Sequence, residues 1–401
     1  MAKKGKSMVT PRLRFPEFRE AGEWEEKPLG AFCDVLQGYG FPETMQGKTQ
    51  GVYPFCKVSD ISRAVTEQGG ILCKASNYID DNDLIQLKAK IVPVGTTVFA
   101  KIGEALRLNR RAIVTAQCLI DNNTAGIKVK KGMGDDIFAY QLFQTIDLGN
   151  HCGGTVPSVN KSTLENIHVL IPNSREQKRI ADCLTSLDEV ISAQGQKVET
   201  LKTYKRGLMQ QLFPREGETI PRLRFSKFQE DWEKSQLGSL CESVSSGRNK
   251  ADPNGIFDLY GSTGIIGKTQ SDTYSGDYIL VARVGANAGF LTRAVGRFGV
   301  TDNTLVLVLK DASSIDFFFF YLQNIGLNKM IFGSGQPLIT GGQLKEIFVL
   351  LPHAQEREQI ADCLSFLDAR IIAEAGKFNI MKTHKKSLMQ QLFPILLKVD
   401  K

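Results

Sequence analysis

A stretch of 45 residues is written twice in this chain. Residues 170–214 align with residues 350–394 at a constant offset of 180, without gaps and with 23 identities. Both copies contain Ile-Ala-Asp-Cys-Leu, starting at Ile180 and Ile360, and both end in Leu-Met-Gln-Gln-Leu-Phe-Pro, closing at Pro214 and Pro394. A repeat of this kind means that one supersecondary unit is built twice. Pro-Arg-Leu-Arg-Phe also recurs, at 11–15 and 221–225, followed each time by a tryptophan (Trp24, Trp232) and a Leu-Gly pair (Leu29, Leu237). Elsewhere the halves diverge around a few anchors. Asn123-Thr124 matches Asn303-Thr304, Gly153 and Pro157 match Gly333 and Pro337, and Leu164 matches Leu344. Lys101-Ile-Gly matches Arg283-Val-Gly at an offset of 182. Each half is a variable segment of about 140 residues followed by a preserved one of about 45.

The preserved segments read as helices. Ile180, Leu184, Leu187, Ile191, Val198, Leu201, Leu208 and Leu212 recur at steps of three and four, with two wider steps where a polar residue takes the stripe. Ile360, Leu364, Leu367, Ile371, Phe378, Met381, Leu388 and Leu392 repeat the pattern. This is a heptad seam, broken by polar residues at matching places (Gln194 and Glu374, Lys205 and Lys385). Ser174 with Gln177 suggests a capping box, and Pro214 ends the run. About 38 helical residues make a rod of roughly 57 Å. The two seams suit one another, and a pseudo-two-fold relation between the halves makes their helices antiparallel. The variable segments hold short apolar runs with Gly and Pro turns (91–100, 112–114, 126–130, 278–284, 304–309) and helical stretches at 136–148 and 314–327.

Composition narrows the function classes. Hydrophobic residues at 42% and charged residues at 23% fit a chain that buries real cores. No apolar run approaches the roughly 18 residues of a membrane span, and the first residues lack a signal peptide's apolar core. The expected location is the cytoplasm of a prokaryote, with the eight scattered cysteines as reduced thiols. Catalytic motifs require fixed spacings. Gly261-Ser-Thr-Gly-Ile-Ile-Gly-Lys-Thr puts five residues between the glycines where a phosphate loop needs four. No Gly-x-Gly-x-x-Gly follows a strand, and no amino-methyltransferase Asn-Pro-Pro-Tyr type motif occurs. His151 has no counterpart in the other half, and His168 is replaced there by Phe348. No metal-ligand spacing appears either. Neither a catalytic residue nor a metal site is expected.

Two divergent domains, each followed by a near-identical helix, resemble the specificity subunit of type I restriction–modification enzymes. The resemblance spans essentially the whole chain. It is carried most specifically by Glu176-Gln177, Ile180-Ala181, Leu184, Leu187-Asp188 and Ile191, and by the second copy from Glu356 to Ile371, where Arg357 replaces the usual glutamine. The approaches to the helices, Gly153 to Pro172 and Gly333 to Pro352, are also similar to that family.

The resemblance implies an α+β chain with two pseudo-two-fold-related target-recognition domains joined by two long antiparallel coiled-coil helices. Its segments would be a basic arm (1–20), a first recognition domain (21–170), a central spacer helix (171–214), a second recognition domain (215–350), a C-terminal spacer helix (351–394) and a tail (395–401). It implies a non-catalytic subunit that reads a bipartite, asymmetric target in double-stranded DNA. Partners would be two methyltransferase subunits and two restriction–translocase subunits. Those partners, which methylate adenine and cleave DNA, would hold S-adenosylmethionine, ATP and Mg; no cofactor is expected in this chain. A coiled-coil structural or regulatory protein whose repeated domains bind other proteins is the alternative.

Candidate DNA contacts follow from the chemistry of phosphates and base edges. The first domain offers Lys101, Arg107, Asn109, Arg110 and Arg111, with Lys57 and Ser59 on an earlier turn. The second offers Arg283, Asn287, Arg293 and Arg297, with Arg248, Asn249, Lys250 and Ser262 on earlier loops. The net charge of +7 points nowhere by itself, because residues 21–170 and 215–350 are together slightly acidic. Within the first segment, however, residues 84–131 hold nine basic and two acidic side chains, and residues 278–300 of the second hold three basic and no acidic ones.

Overall fold

Each preserved segment folds as one α-helix of 39 residues, Ser174–Leu212 and Ala354–Leu392. The computed structural model describes residues 10–153, 155–330 and 337–394; the start of the basic arm, Gly333 and the tail at 395–401 lie outside the described residues. All sixteen seam positions are buried or half-buried. The first helix starts differently from the expected capping box. Asn173 is the cap, its Oδ1 accepting the Glu176 N–H at 3.0 Å. Gln177 is buried, donates to the Pro172 carbonyl at 2.9 Å and accepts the Asp135 N–H at 3.1 Å. A short asparagine just outside the helix reaches the free N–H groups, which leaves the longer side chain to satisfy the core.

The chain divides into two compact units, residues 1–195 with 377–401 and residues 196–376. The division falls inside both long helices, so each unit holds the first half of one and the second half of the other.

In the first unit, a five-stranded sheet runs in the order Cys33–Gln37, Thr124–Val129, Thr97–Ala100, Arg111–Val114, Ile71–Leu72, and a three-stranded sheet centres on Tyr53–Cys56. The expected strand at 91–100 forms only from Thr97, and the helix expected at 136–148 ends at Gln144. Successive strand residues point to opposite faces. Val98 therefore joins the core under helix Val58–Glu67, and Phe99 joins the larger core with helix Asp136–Gln144 and the long helices. The Glu25–Pro28 ribbon pairs with His168–Ile171 and leads into the first long helix. There residues 174–195 lie antiparallel to 377–392: Lys385 Nζ donates to Asp188 at 2.6 Å, and a Cβ built on Gly195 would come within 3.1 Å of the Phe378 ring.

The second unit is built on a six-stranded sheet, Cys241–Ser246, Thr304–Leu309, Tyr274–Ala282, Leu291–Val300, Phe257–Gly261, Gly264–Thr269. Ile279 and Val281 face the core with helix Ile315–Ile325, while Leu280 turns to a smaller core with Phe298 and Val306. Its ribbon pairs Glu233–Gln236 with Phe348–Leu351. Lys205 Nζ donates to Asp368 at 2.6 Å and Lys197 Nζ to Glu374 at 2.8 Å. The Lys205–Asp368 pair is the Lys385–Asp188 pair of the first unit with the two repeat copies exchanged.

Pro-Arg-Leu-Arg-Phe closes each unit. In the first, the Leu13 N–H donates to Gln391 O at 3.0 Å, and Arg14 grips Glu176 through Nε at 2.8 Å and Nη2 at 2.7 Å. In the second, the Leu223 N–H donates to Gln211 O at 2.9 Å, and Arg224 grips Glu356 at 2.7 and 2.9 Å. The motif ties the end of one long helix to the start of the other.

Candidate nucleic-acid interface

The two units share one backbone frame at the ends of their central strands. Lys101 and Arg283 each follow such a strand, and each donates its N–H to the carbonyl of the matching asparagine, Asn123 or Asn303, at 2.9 Å. The carbonyls of Lys101 and Arg283 in turn accept an N–H, from Val159 and Ile339 respectively, at 2.9 Å. Two residues on, Gly103 donates to Pro157 O at 2.8 Å and Gly285 to Pro337 O at 3.0 Å. The third wall is a strand end followed by glycine, Gln37-Gly38 or Ser246-Gly247. No side chain fits at either glycine, because a Cβ on Gly38 would overlap Asp121 O and one on Gly247 would overlap Val300 O. The loops at 121–124 and 301–304 are thus enclosed by equivalent neighbours in both units.

On this frame the first unit carries a titratable cluster. Lys101 Nζ donates to Gln37 Oε1 at 2.5 Å, and burial pulls its pKa down against the attraction of Asp121. Asp121 is 7% exposed, and burial pushes its carboxyl above the ordinary range, opposed by hydrogen bonds from Asn123 and Thr124 and by the charge of Lys57. A carboxyl raised in the folded state contributes most below its unfolded pKa and loses that contribution as pH rises through the folded value. The melting-temperature difference between Asp121→Asn and the parent should therefore grow in favour of the variant from about pH 4 to pH 7. A difference that is flat with pH, measured by calorimetry, would contradict the burial.

The candidates from sequence separate into two groups. Arg111 is 3% exposed; it donates to Ile146 O at 2.9 Å and Asn109 Oδ1 at 3.0 Å, lies over the Phe143 ring, and burial lowers its pKa to about 10. Asn109 sits at φ 50 and also bonds Asp147 and the Leu148 N–H. Both spend their polar groups on the fold, Arg111 buried and Asn109 half-buried. Asn249 likewise ties the Val300 N–H to Thr273. Arg293 is held by Asp277 and by Asp316 of helix Ile315–Ile325, and Arg297 by Asp272 and the Phe257 ring; they lie opposite Ile279 and Ser275, away from Arg283 along the sheet. Arg293 is half-buried between its two carboxylates, whereas Arg297 is exposed and paired with one.

The remaining candidates are exposed or half-buried. Arg248 and Lys250 are exposed and form no ion pair among the described residues, and backbone bonds from Gly247 and Asn249 hold them beside the 300–304 loop. Asn287 is exposed on the turn before Phe290, and Arg283 is half-buried at the frame itself. In the first unit Arg107 is exposed with a long ion pair to Glu104 at 4.0 Å, and Arg110 is half-buried. Lys57 is half-buried over the Phe41 ring with its ammonium on Gln46; Ser59 is exposed on the first turn of the helix it opens. Ser262 is half-buried in the Phe257–Gly261 to Gly264–Thr269 hairpin.

Four frame residues escaped the reading of the sequence: Gln37, Asp121, Ser246 and Thr301. The signals were present, since Gly38 and Gly247 each end a strand and residues 121 and 301 precede the matched Asn-Thr pairs. Among the described residues no helix is long and apolar enough to cross a membrane, and no cluster of His, Cys, Asp and Glu could hold a metal ion.

Comparison with known proteins gives one family. Residues 21–203 and 229–380 match the type I restriction modification DNA specificity domain. The type I restriction enzyme MjaVIII specificity subunit of Methanocaldococcus jannaschii is 23% identical, over 95% of this chain and 93% of that protein. The putative MjaX specificity subunit of the same organism is 24% identical over 92% of each. The fold is similar to the type I restriction–modification S subunit from M. genitalium, with a TM-score of 0.62 at 15% identity over 97% of this chain and all of that one. A chain solved in a study of complex assembly in a type I restriction–modification system gives 0.57 at 18% identity over 92% of this chain and 97% of that one. With both halves matched across most of its length, the chain belongs to the type I restriction–modification DNA specificity domain family.

Proposed function

We propose that this chain reads a bipartite, asymmetric sequence in double-stranded DNA, one half-site per unit. In this reading it docks two methyltransferase and two restriction–translocase subunits and catalyses nothing itself. The observation that carries the reading is the shared frame bearing different side chains: Gln37, Lys101 and Asp121 in one unit stand where Ser246, Arg283 and Thr301 stand in the other. Equal scaffolds with unequal reading groups give unequal half-sites. S-adenosylmethionine, ATP and Mg belong to the partner subunits, and the complex works in the prokaryotic cytoplasm.

Co-expression with the cognate methyltransferase, followed by methylome sequencing, tests the reading. A bipartite motif with two different halves is expected. An assembled complex that methylates no such motif would overturn it. Arg248 and Lys250 are assigned to phosphates, since both are exposed and without an ion pair among the described residues. Reversing either to glutamate should weaken binding to all sequences alike and lower the salt slope of log K by about 1 per charge. Filter binding between low and moderate salt measures both effects.

A further inference from the structure

Hydrogen-bonding capacity is unevenly used in the two units. Ten buried side-chain atoms among the described residues lack a partner, and five lie on the shared frame: Gln37 Nε2, Asp121 Oδ1, Arg283 Nε, Thr301 Oγ1 and Thr304 Oγ1. Buried polar groups are almost always paired, so such a concentration needs a physical reason. Packing does not supply one. The enclosing backbone bonds are complete in both units and within 0.2 Å of each other in length, so the frame is well formed where its side chains are unsatisfied.

Lys101 and Arg283 hold the same backbone position and differ in chemistry, as do Gln37 and Ser246 on the adjoining strand ends, and Asp121 and Thr301 at the loop starts. The outer residues of these loops, Asn122 and Asn123 in one and Asp302 and Asn303 in the other, are exposed, so each frame lies directly beneath accessible surface.

We infer that these three positions form the base-reading head of each unit: Gln37, Lys101 and Asp121 in the first, Ser246, Arg283 and Thr301 in the second. The inference rests on the proposed DNA-reading function and names the residues that decide the sequence. Arg283 brings a guanidinium for the O6 and N7 acceptors of a guanine. Lys101 and Asp121 match a G·C pair together, the ammonium donating to guanine and the carboxylate accepting from the cytosine amino group. Burial of Asp121 agrees with such a role, since its carboxylate lacks a full set of donors until a base amino group arrives.

The test uses the complete chain in complex with its methyltransferase, read by methylome sequencing. Arg283→Gln should loosen one guanine position in one half-site and move its preference towards adenine. Asp121→Asn should loosen one position in the other half-site. Each should reduce discrimination there by about tenfold or more and leave the opposite half-site as it was. If the parent complex methylates no bipartite motif, the proposed function itself fails. If the parent motif is found and both variants keep it unchanged, this inference is wrong. Equal loosening of both half-sites would also overturn it, by showing a general loss of structure. Should Arg283→Gln abolish methylation, Thr301→Val decides for that unit: an unaltered motif refutes the inference, and loosening confined to the same half-site supports it.

Discussion

Phe393→Ala is expected to destabilise the first unit by about 3–5 kcal/mol and to leave the second unit nearly unchanged. Phe393 ends the helix that follows the second variable segment, yet its ring packs against Trp24 and Phe138, with centroids 6.3 and 5.6 Å away. It is 2% exposed and belongs to the core with Phe99, Phe143 and Leu184. Truncation would remove that contact area and leave a cavity between the ribbon, helix Asp136–Gln144 and the end of the long helix. Phe213→Ala is the mirror case, because Phe213 packs on Trp232, Phe317 and Tyr321 of the second unit. Hydrogen exchange on the full chain distinguishes the two variants. Protection should fall around 25–28 and 136–144 for Phe393→Ala, and around 233–236 and 315–325 for Phe213→Ala. Loss in the unit that precedes the substituted helix in sequence would refute the exchange of helix ends.

Removing Arg224 should cost roughly as much, about 3–5 kcal/mol, because it strands a buried carboxylate. Glu356 is fully buried and accepts two hydrogen bonds from Arg224. Glu176, its counterpart, accepts two from Arg14 and a third from Trp24 Nε1 at 3.1 Å. Trp232 Nε1 has no such partner. Arg224→Ala therefore leaves Glu356 without a side-chain donor among these groups, whereas Arg14→Ala leaves Glu176 one. The second-unit variant should be the more damaging, with Arg14→Ala towards the lower end of the range. Replacing both partners, as in Arg224→Leu with Glu356→Leu, removes the desolvated charge with its counter-ion and should recover most of the loss. Urea unfolding of the four proteins gives the comparison. A double variant as unstable as Arg224→Ala would mean that the ion pair itself, and not the stranded charge, carries the stability.

These two cases mark where the sequence stops being readable. The helices and their seam were legible, because a period of three and four residues is a property of neighbours along one chain. The duplication was legible for a similar reason, since matching strings need no geometry. Pro-Arg-Leu-Arg-Phe was visible as a motif and silent about its purpose. Its arginine meets a glutamate 162 residues away in one unit and 132 in the other, and nothing local records such a pairing.

Two of the candidate contacts show what charge density along the chain leaves out. The densest basic run of the first segment contains Arg111, and the most basic strand of the second contains Arg293. Charge density suggested both as DNA contacts. The fold buries Arg111 against Phe143 and Ile146 O, and surrounds Arg293 with Asp277 and Asp316. A cation's availability depends on what the chain brings next to it, and those carboxylates and carbonyls come from other elements. Gln37 and Asp121 were overlooked because single polar residues at strand ends look ordinary until a backbone frame places them together.

The sequence by itself determined that the chain is built twice, that each copy ends in a long amphipathic helix, and which family the layout resembles. All three depend on order along the chain. Only the tertiary structure decided that each helix ends in the unit of the opposite repeat, that the arginine motifs clasp buried glutamates, and which basic residues remain unneutralised. Those outcomes depend on contacts between different elements, 162 and 132 positions apart for the arginine clasps and 16 to 35 for Arg111 and Arg293, where the chain's path through space sets the partner.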